Sequence, residues 1–253
     1  MAKARVDSLL VEQGLAETRS KAQALVLAGI VFWGERKLES SGASIAADAE
    51  LTVRGHEHGY VSRGGVKLAG ALDAFVVSPN ALRCLDMGAS TGGFTDCLLQ
   101  RGAAHVVAVD VGYGQLAHKL RIDPRVTTLE RTNGRTLAPE AIGGVVDLAV
   151  VDASFIGLSK LADALSACIK PSGTLVALVK PQFEAGREIV SKGKGVVTDE
   201  GDRQACIDEA VASVAKCGFE VLGVSDCVIH GPKGNREAFL HARNAGLREP
   251  YSG

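Results

Sequence analysis

The chain lacks any apolar run approaching the roughly 20 residues that a membrane-crossing helix needs, and its start, M-A-K-A-R-V-D, lacks the apolar core of a signal peptide. A cytoplasmic location without stable membrane insertion is therefore expected. It also lacks any C-x-x-C spacing. Cys84, Cys97, Cys168, Cys206, Cys217 and Cys227 fall mostly within apolar strand or helix patterns, so buried reduced thiols are expected rather than disulfides or zinc ligands. With a net charge of −1 the chain has no excess of positive charge, so contact with RNA has to come from a local basic patch. No repeat or low-complexity tract interrupts it. What remains, 253 residues at 46% hydrophobic and 23% charged, is an ordinary globular composition, long enough for one large or two unequal domains.

The organising stretch is Leu82 to Thr95, L-R-C-L-D-M-G-A-S-T-G-G-F-T, which parses as a strand, a glycine turn and the start of a helix. Such turns bind nucleotides in α/β proteins, because glycine admits positive φ and close approach while the helix directs unpaired N–H groups into the same space. G-A-S-T-G-G is not the G-x-G-x-x-G dinucleotide pattern, which weakens NAD and FAD. Asp86, at the strand's end, suits the ammonium end of S-adenosylmethionine. Asp110, about 20 residues beyond the turn, ends the next strand, His105–Val109, where a carboxylate accepts hydrogen bonds from both ribose hydroxyls. The expected cofactor contacts are Asp86, Gly88, Ala89, Ser90, Gly92, Gly93, Phe94, Asp110, Val111 and Asn133. The plain alternative is a tight turn that binds nothing.

Residues 1–58 read as a separate unit, with a linker at 59–63 and a second domain over 64–253. The first unit begins with two short helices. One runs over Arg5–Gly14 with Leu9 and Leu10 facing inward; the other covers Thr18–Gly29 with Ala22, Leu25 and Val26 as its buried stripe. Short strands follow at Ile30–Trp33 and Leu51–Arg54. Its charges nearly cancel, seven Lys/Arg against eight Asp/Glu, so electrostatics alone does not mark it as an RNA binder. The order R-x-D-x-L-L, G-L, T-R-S-x-A-Q-x-L-V-x-A-G-x-V resembles the αL RNA-binding module of ribosomal protein S-four. That resemblance implies contacts to RNA phosphates from Arg5, Arg19, Ser20, Lys21 and Gln23, although Phe32-Trp33-Gly34 departs from the module's Val-Asn-Gly turn. A solvated helix face is the competing account of Arg19 and Lys21. His56 and His58 flank Glu57 in a glycine-rich connection, where solvation is expected and no metal.

In the second domain Lys67 opens a helix that runs to Phe75. Strands are expected at Val126–Leu129, Val145–Val151 and Thr174–Val179, a helix at Ile156–Ile169, and a basic loop with Arg187, Lys192 and Lys194 at Glu184–Val197. Thr198 or Asp199 then caps a helix ending at Gly218, and Val221–Ile229 pairs with Glu237–Ala242 as a final hairpin. Two strands end in charges, Asp152 and Lys180, at the edge where α/β sheets bind ligands. Charge there costs desolvation, so partners are expected, and Lys67 and Glu237 are placed to converge on the same edge. A Lys–Asp–Lys–Glu cluster beside a sulfonium donor suits methylation of a ribose hydroxyl, a poor nucleophile until a base takes its proton. Lys67, Arg63 or Arg236 nearby would favour a neutral Lys180, with Asp152 and Glu237 orienting it; an excess of carboxylates would oppose that. Phe155 and Phe183 are candidates to stack on the target base.

The front module followed by S-R-G-G-x-K-L, L-D-M-G-A-S-T-G-G-F-T-D, V-D-x-G-Y-G-Q-L, T-N-x-R, D-x-S-F, V-K-P-Q-F-E and G-x-x-G-N-x-E resembles the TlyA family over nearly the whole chain, with a catalytic domain similar to the FtsJ-type ribose methyltransferases. The resemblance implies a Rossmann-like class I methyltransferase domain behind an α+β RNA-binding domain. It also implies S-adenosylmethionine-dependent 2′-O-methylation of cytidines in small- and large-subunit ribosomal RNA. Lys67, Asp152, Lys180 and Glu237 take the family's catalytic positions, and Arg63 is a further RNA contact. The partners implied are ribosomal RNA or ribosomal subunits, not DNA. The same family carries a haemolysin label, so a membrane-active protein that keeps the fold without turnover is the alternative, and a non-catalytic ribosome-binding factor is a third reading.

Overall fold

A computed structural model describes residues 3–16, 18–27, 29–53, 59–154, 156–185, 193, 195–231 and 234–246. The chain divides into two compact units, Met1–Gly59 and Tyr60–Gly253. Residues 54–58 with their two histidines, Phe155, and Arg187, Lys192 and Lys194 of the expected basic loop lie outside the described residues.

The first unit holds two helices, α1 (Val6–Glu12) and α2 (Arg19–Leu27), with five short strands, β1 (Lys3–Arg5), β2 (Val31–Trp33), β3 (Arg36–Lys37), β4 (Ser44–Ala46) and β5 (Leu51–Val53). β1 pairs with β4, and β3, β2 and β5 form a three-stranded antiparallel sheet. Val6, Leu9, Leu10, Ala22, Val26, Val31, Leu38 and Leu51 make its core. Leu25, expected in the buried stripe, is only half-buried. Gln13 ties α1 to the sheet, donating from Nε2 to Ala49 O at 2.8 Å and accepting the Leu51 N–H at 3.0 Å. β1, β3 and β4 are two or three residues long, too short for an alternating pattern to mark them in the sequence.

The second unit is a seven-stranded sheet. Its strands are β6 (Arg83–Met87), β7 (His105–Val109), β8 (Val126–Leu129), β9 (Val146–Val151), β10 (Ile169–Val179), β11 (Phe219–Asp226) and β12 (Ala238–Asn244), in the spatial order β11-β12-β10-β9-β6-β7-β8. The five strands from β6 to β10 are parallel to their neighbours. β12 runs antiparallel between β10 and β11, so the final hairpin extends the sheet beyond β10 and leaves β11 as the edge strand. Helices α3 (Arg63–Ala74), α4 (Gly93–Gln100), α5 (His118–Arg121), α6 (Ala162–Cys168), α7 (Pro181–Glu184) and α8 (Glu200–Lys216) accompany the strands. Two apolar clusters follow the two faces of the strands. Leu85 and Met87 join the one with α6 and α8, while Cys84 joins the one with α3 and α4.

Local deviations have local causes. α3 starts at Arg63, so Lys67 sits one turn into the helix. The single helix expected over Ile156–Ile169 is a 3-10 turn, Leu158–Lys160, and then α6, with Ile169 already in β10. Asp199 caps α8, accepting the Asp202 N–H at 2.9 Å.

Candidate active site

Strand register brings the candidate catalytic residues together. Met87 pairs with Val151 in parallel, and Val179 pairs with Ala238 antiparallel. The next residues, Gly88, Asp152, Lys180 and Glu237, therefore stand side by side along the carboxyl edge of the sheet. Lys180 forms an ion pair with Asp152 and donates from Nζ to Ser154 Oγ at 2.9 Å. Lys67 reaches in from α3, its Nζ 2.5 Å from Glu237 Oε2. Lys67, Lys180 and Glu237 are only 7%, 9% and 1% exposed, so each charge depends on its partner. Burial raises the Cys227 thiol, which also feels Lys67, Glu237 and Asp152. Glu237 Oε1 is buried without a hydrogen-bond partner among the described residues. Gly231 lies against that carboxylate so closely that a Cβ there would stand 2.3 Å from Oε1.

The cations expected near Lys180 have partners of their own. Lys67 is committed to Glu237. Arg63 is exposed and donates to His230 O at 3.0 Å. Arg236 pairs with Glu200 and Asp226. Each of these cations is matched where it stands, and Lys180 is set between an acid and a hydroxyl instead. Phe183 is half-buried with its ring centroid 5.8 Å from Lys180 Nζ, which sits over the ring.

Beside this row opens a cavity of about 420 Å³, within the range of small-molecule sites, lined by Met87, Ile156 and Leu161 on its apolar side and by Ser90, Asp110, Gln115, Asn133 and Asp152 among its polar groups. Gly88, Val111, Thr132, Gly134, Val109, Ala153 and Ser154 complete its wall. Asp110 is held rigidly there: its Oδ2 accepts the Ser90 N–H at 2.8 Å and its Oδ1 the Gly112 N–H at 2.6 Å. Each oxygen keeps a lone pair for a ligand hydroxyl. Ser90 takes φ 48°, a strained conformation for a residue with a side chain, and its hydroxyl meets Gln115 Oε1 at 3.2 Å. Asn133 Oδ1 accepts the Arg135 N–H at 3.0 Å, which fixes the loop under the far wall. An adenosine-type ligand fits such a lining: a ribose-binding carboxylate, amides and a hydroxyl, and apolar surface.

Five of the expected cofactor contacts are on the wall and five are not. Gly88, Ser90, Asp110, Val111 and Asn133 line the cavity. Asp86, Ala89, Gly92, Gly93 and Phe94 do not. The reason is strand alternation: Met87 faces the cavity, so Asp86 faces the opposite way, onto α4. There it is fully buried, accepts the Thr95 hydroxyl at 2.6 Å through Oδ2, and leaves Oδ1 buried without a partner among the described residues. Burial pushes its carboxyl up to about 7. The turn glycines make room for protein as much as for ligand. Gly88 has φ 92°, and a Cβ on it would come 2.7 Å from Asp152 O; Gly92, at φ 94°, would collide with Leu120.

Residues at the site that lie outside the expected site set are Ser154, Gln115, Thr132 and Glu184. Glu184 Oε1 accepts the Leu158 N–H at 2.7 Å, linking α7, just after Lys180, to the segment that follows Asp152. All four lie inside the motifs D-x-S-F, Y-G-Q-L, T-N-x-R and P-Q-F-E, so the signal was present one or a few residues away.

In the first unit, Arg5, Arg19 and Gln23 converge on the carboxylate of Asp7. Ser20 and Lys21 are exposed on α2. The described residues contain no group of three or more His, Cys, Asp or Glu able to hold a metal, and no helix long and apolar enough to cross a membrane. The six cysteines are free, four of them buried.

The FtsJ-like methyltransferase family model matches residues 60–244. Over 95% of its length the chain is 49% identical to the 16S/23S rRNA (cytidine-2'-O)-methyltransferase TlyA of Mycobacterium tuberculosis, spanning 90% of that protein. It is 40% identical to Hemolysin A of Brachyspira hyodysenteriae over 94% of the chain and 98% of that protein. Among solved structures, a putative hemolysin from Streptococcus thermophilus superimposes with a TM-score of 0.76 at 42% identity, covering 96% of this chain and 89% of that one.

Proposed function

The chain belongs to the TlyA family of FtsJ-like methyltransferases, and from that premise we propose that it transfers the methyl group of S-adenosylmethionine to the 2′-hydroxyl of cytidines in small- and large-subunit ribosomal RNA. The observation that carries the reading is Lys180, set between Asp152 and Ser154 at the edge of a cavity with a ribose-binding carboxylate in its wall. When bound, the cofactor supplies a methyl group on a positively charged sulfur. Asp110 would hold its ribose hydroxyls, Val111, Thr132 and Asn133 would contact the adenine, and Met87, Ile156 and Leu161 would exclude water.

The chain's own task is to aim an oxygen and remove its proton. A 2′-hydroxyl attacks in line only when held at the right distance, so positioning supplies much of the acceleration. Lys180 Nζ accepts the hydroxyl proton, having passed its own to the Asp152 carboxylate it pairs with, while the Ser154 hydroxyl orients the nitrogen through a hydrogen bond. Lys67 and Glu237 fix the adjoining strand end and cancel each other's charge. With two ammoniums against two carboxylates the row is neutral, and a polyanionic substrate meets no net repulsion. Arg5, Arg19, Ser20, Lys21 and Gln23 of the first unit, with Arg63 of the second, contact RNA phosphates, and the target nucleotide is flipped out of its stack to reach the methyl group. With ribosomal RNA as substrate, the site of action is the cytoplasm.

The test is transfer of isotopic methyl from the cofactor to purified ribosomal subunits, with methylated positions mapped. Label on cytidine 2′-oxygens is expected; label on bases, or none, overturns the proposal. The haemolysin names of relatives prompt a parallel assay, in which the purified chain leaves liposomes intact with and without cofactor.

A further inference from the structure

The Asp7 cluster in the first unit is arranged in an unusual way for a surface ion network. The carboxylate at its centre is inaccessible to solvent, while the side chains of Arg5 and Arg19 around it are 48% and 57% exposed. Arg5 grips it as a fork, Nε to Oδ1 at 2.9 Å and Nη2 to Oδ2 at 2.7 Å. Arg19 reaches both oxygens through Nη2 alone, at 3.3 and 3.2 Å, and Gln23 Nε2 donates to Oδ2 at 3.1 Å. The Arg5 hydrogen bonds outweigh burial and hold the Asp7 carboxyl far below the ordinary carboxylate range, so it stays charged. Among the described residues, Nη1 of Arg5 and both Nε and Nη1 of Arg19 have no hydrogen-bond partner. Two guanidiniums are thus locked at one end with donors left over at the other. Gly42 leaves the flank open, since a Cβ there would press on Arg5 Nη1 at 3.3 Å.

We propose that Asp7 is a positioning residue for RNA: it fixes Arg5, Arg19 and Gln23 as a preformed clamp for neighbouring phosphates. This rests on the reading of the first unit as the RNA-binding one. Long basic side chains lose rotamer freedom when they bind a phosphate, and a clamp already ordered by a buried anion has lost it beforehand. Bidentate geometry also suits the planar guanidinium, which a lysine could not reproduce.

Coulomb's law and preorganisation predict opposite signs here. If Asp7 merely neutralised a cation, Asp7→Asn would add a positive charge to the face and tighten binding to RNA. If it positions the clamp, the same substitution weakens binding by about tenfold, the scale of one charge-assisted hydrogen bond. The experiment uses the full chain and transcribed small-subunit ribosomal RNA, with cofactor affinity and melting temperature as controls for folding. Asp7→Asn is expected to bind RNA about tenfold more weakly and to have no further effect when Arg5 and Arg19 are both alanine. Arg5→Lys keeps the charge, loses the fork, and is expected to weaken binding similarly; it decides the matter if Asp7→Asn does not fold. Weakening by the double alanine variant combined with equal or tighter binding by Asp7→Asn, or by Arg5→Lys where the former is unfolded, overturns the clamp and leaves the RNA reading standing. Unchanged binding by the double alanine variant overturns both.

Discussion

The two ion clusters of this protein are built inside out with respect to each other. In the first unit the acid, Asp7, is inside and its arginines face outward. In the second, Lys67, Lys180 and Glu237 are all buried at the sheet edge. A buried acid that exposes cations presents charge to a partner too large to enter the protein. A buried, balanced row keeps its charges out of water, where proton transfer and orientation gain from the low local dielectric. Binding a polyanion and activating one hydroxyl ask for these two different arrangements of the same residue types.

The sharpest way to break the comparison is Lys180→Ala. If the row does chemistry, methyl transfer falls by about a thousandfold or more, the scale of a lost general base, while cofactor affinity stays within about threefold. Normal turnover would reduce the row to a structural feature. Glu237→Ala probes the cost of burial in the same row, because it leaves Lys67 buried and unmatched. A loss of about 3–5 kcal/mol is expected from chemical denaturation, whereas Lys67→Met with Glu237→Leu recovers most of the stability without recovering activity. A Glu237→Ala protein as stable as the parent would mean that water already reaches Lys67. Next in size, removing residues 1–58 is expected to weaken RNA binding roughly a hundredfold, through loss of several phosphate contacts, and to spare cofactor binding. Full RNA affinity in the truncated chain would move the gripping role to the second unit.

The two halves also differed in how much their sequences disclosed. β7 and β8 match the sequence expectation residue for residue, and β6, β9 and the hairpin strands are close to it, because buried parallel strands read as continuous apolar runs between turn signals. Asp152 and Lys180 were legible for the same reason, since a charge that ends such a run has few structural explanations, whereas Lys67, one turn into α3, and Glu237, just before β12, rested on the family motifs. For Asp86 the place at the strand's end was readable and the side was not, although alternation from Met87 decides it and turns the carboxylate away from the cavity wall. The Asp7 cluster was invisible. R-x-D two residues apart does not show that the acid turns inward, or that Arg19 and Gln23 arrive from the other helix.

The last prediction sharpens the contrast between paired and unpaired burial. Asp86, unlike Asp7, has no cation beside it among the described residues; its carboxyl is raised from 3.8 to about 7, chiefly by burial and against the pull of the Thr95 hydroxyl. Between those values the folded chain binds a proton that the unfolded chain has released, so this group makes stability fall as pH rises from about 4 to about 7, and no further above it. For one proton the slope cannot exceed about 1.4 kcal/mol per pH unit. Asp86→Asn keeps the shape, cannot ionise, and is expected to remove that slope. Unfolding of cofactor-free protein, followed at several pH values, should therefore show the two proteins diverging toward neutral pH with the variant the more stable. Parallel curves would mean that Asp86 is ionised in the folded state and that a further donor, such as water, satisfies the oxygen that lacks a partner among the described residues.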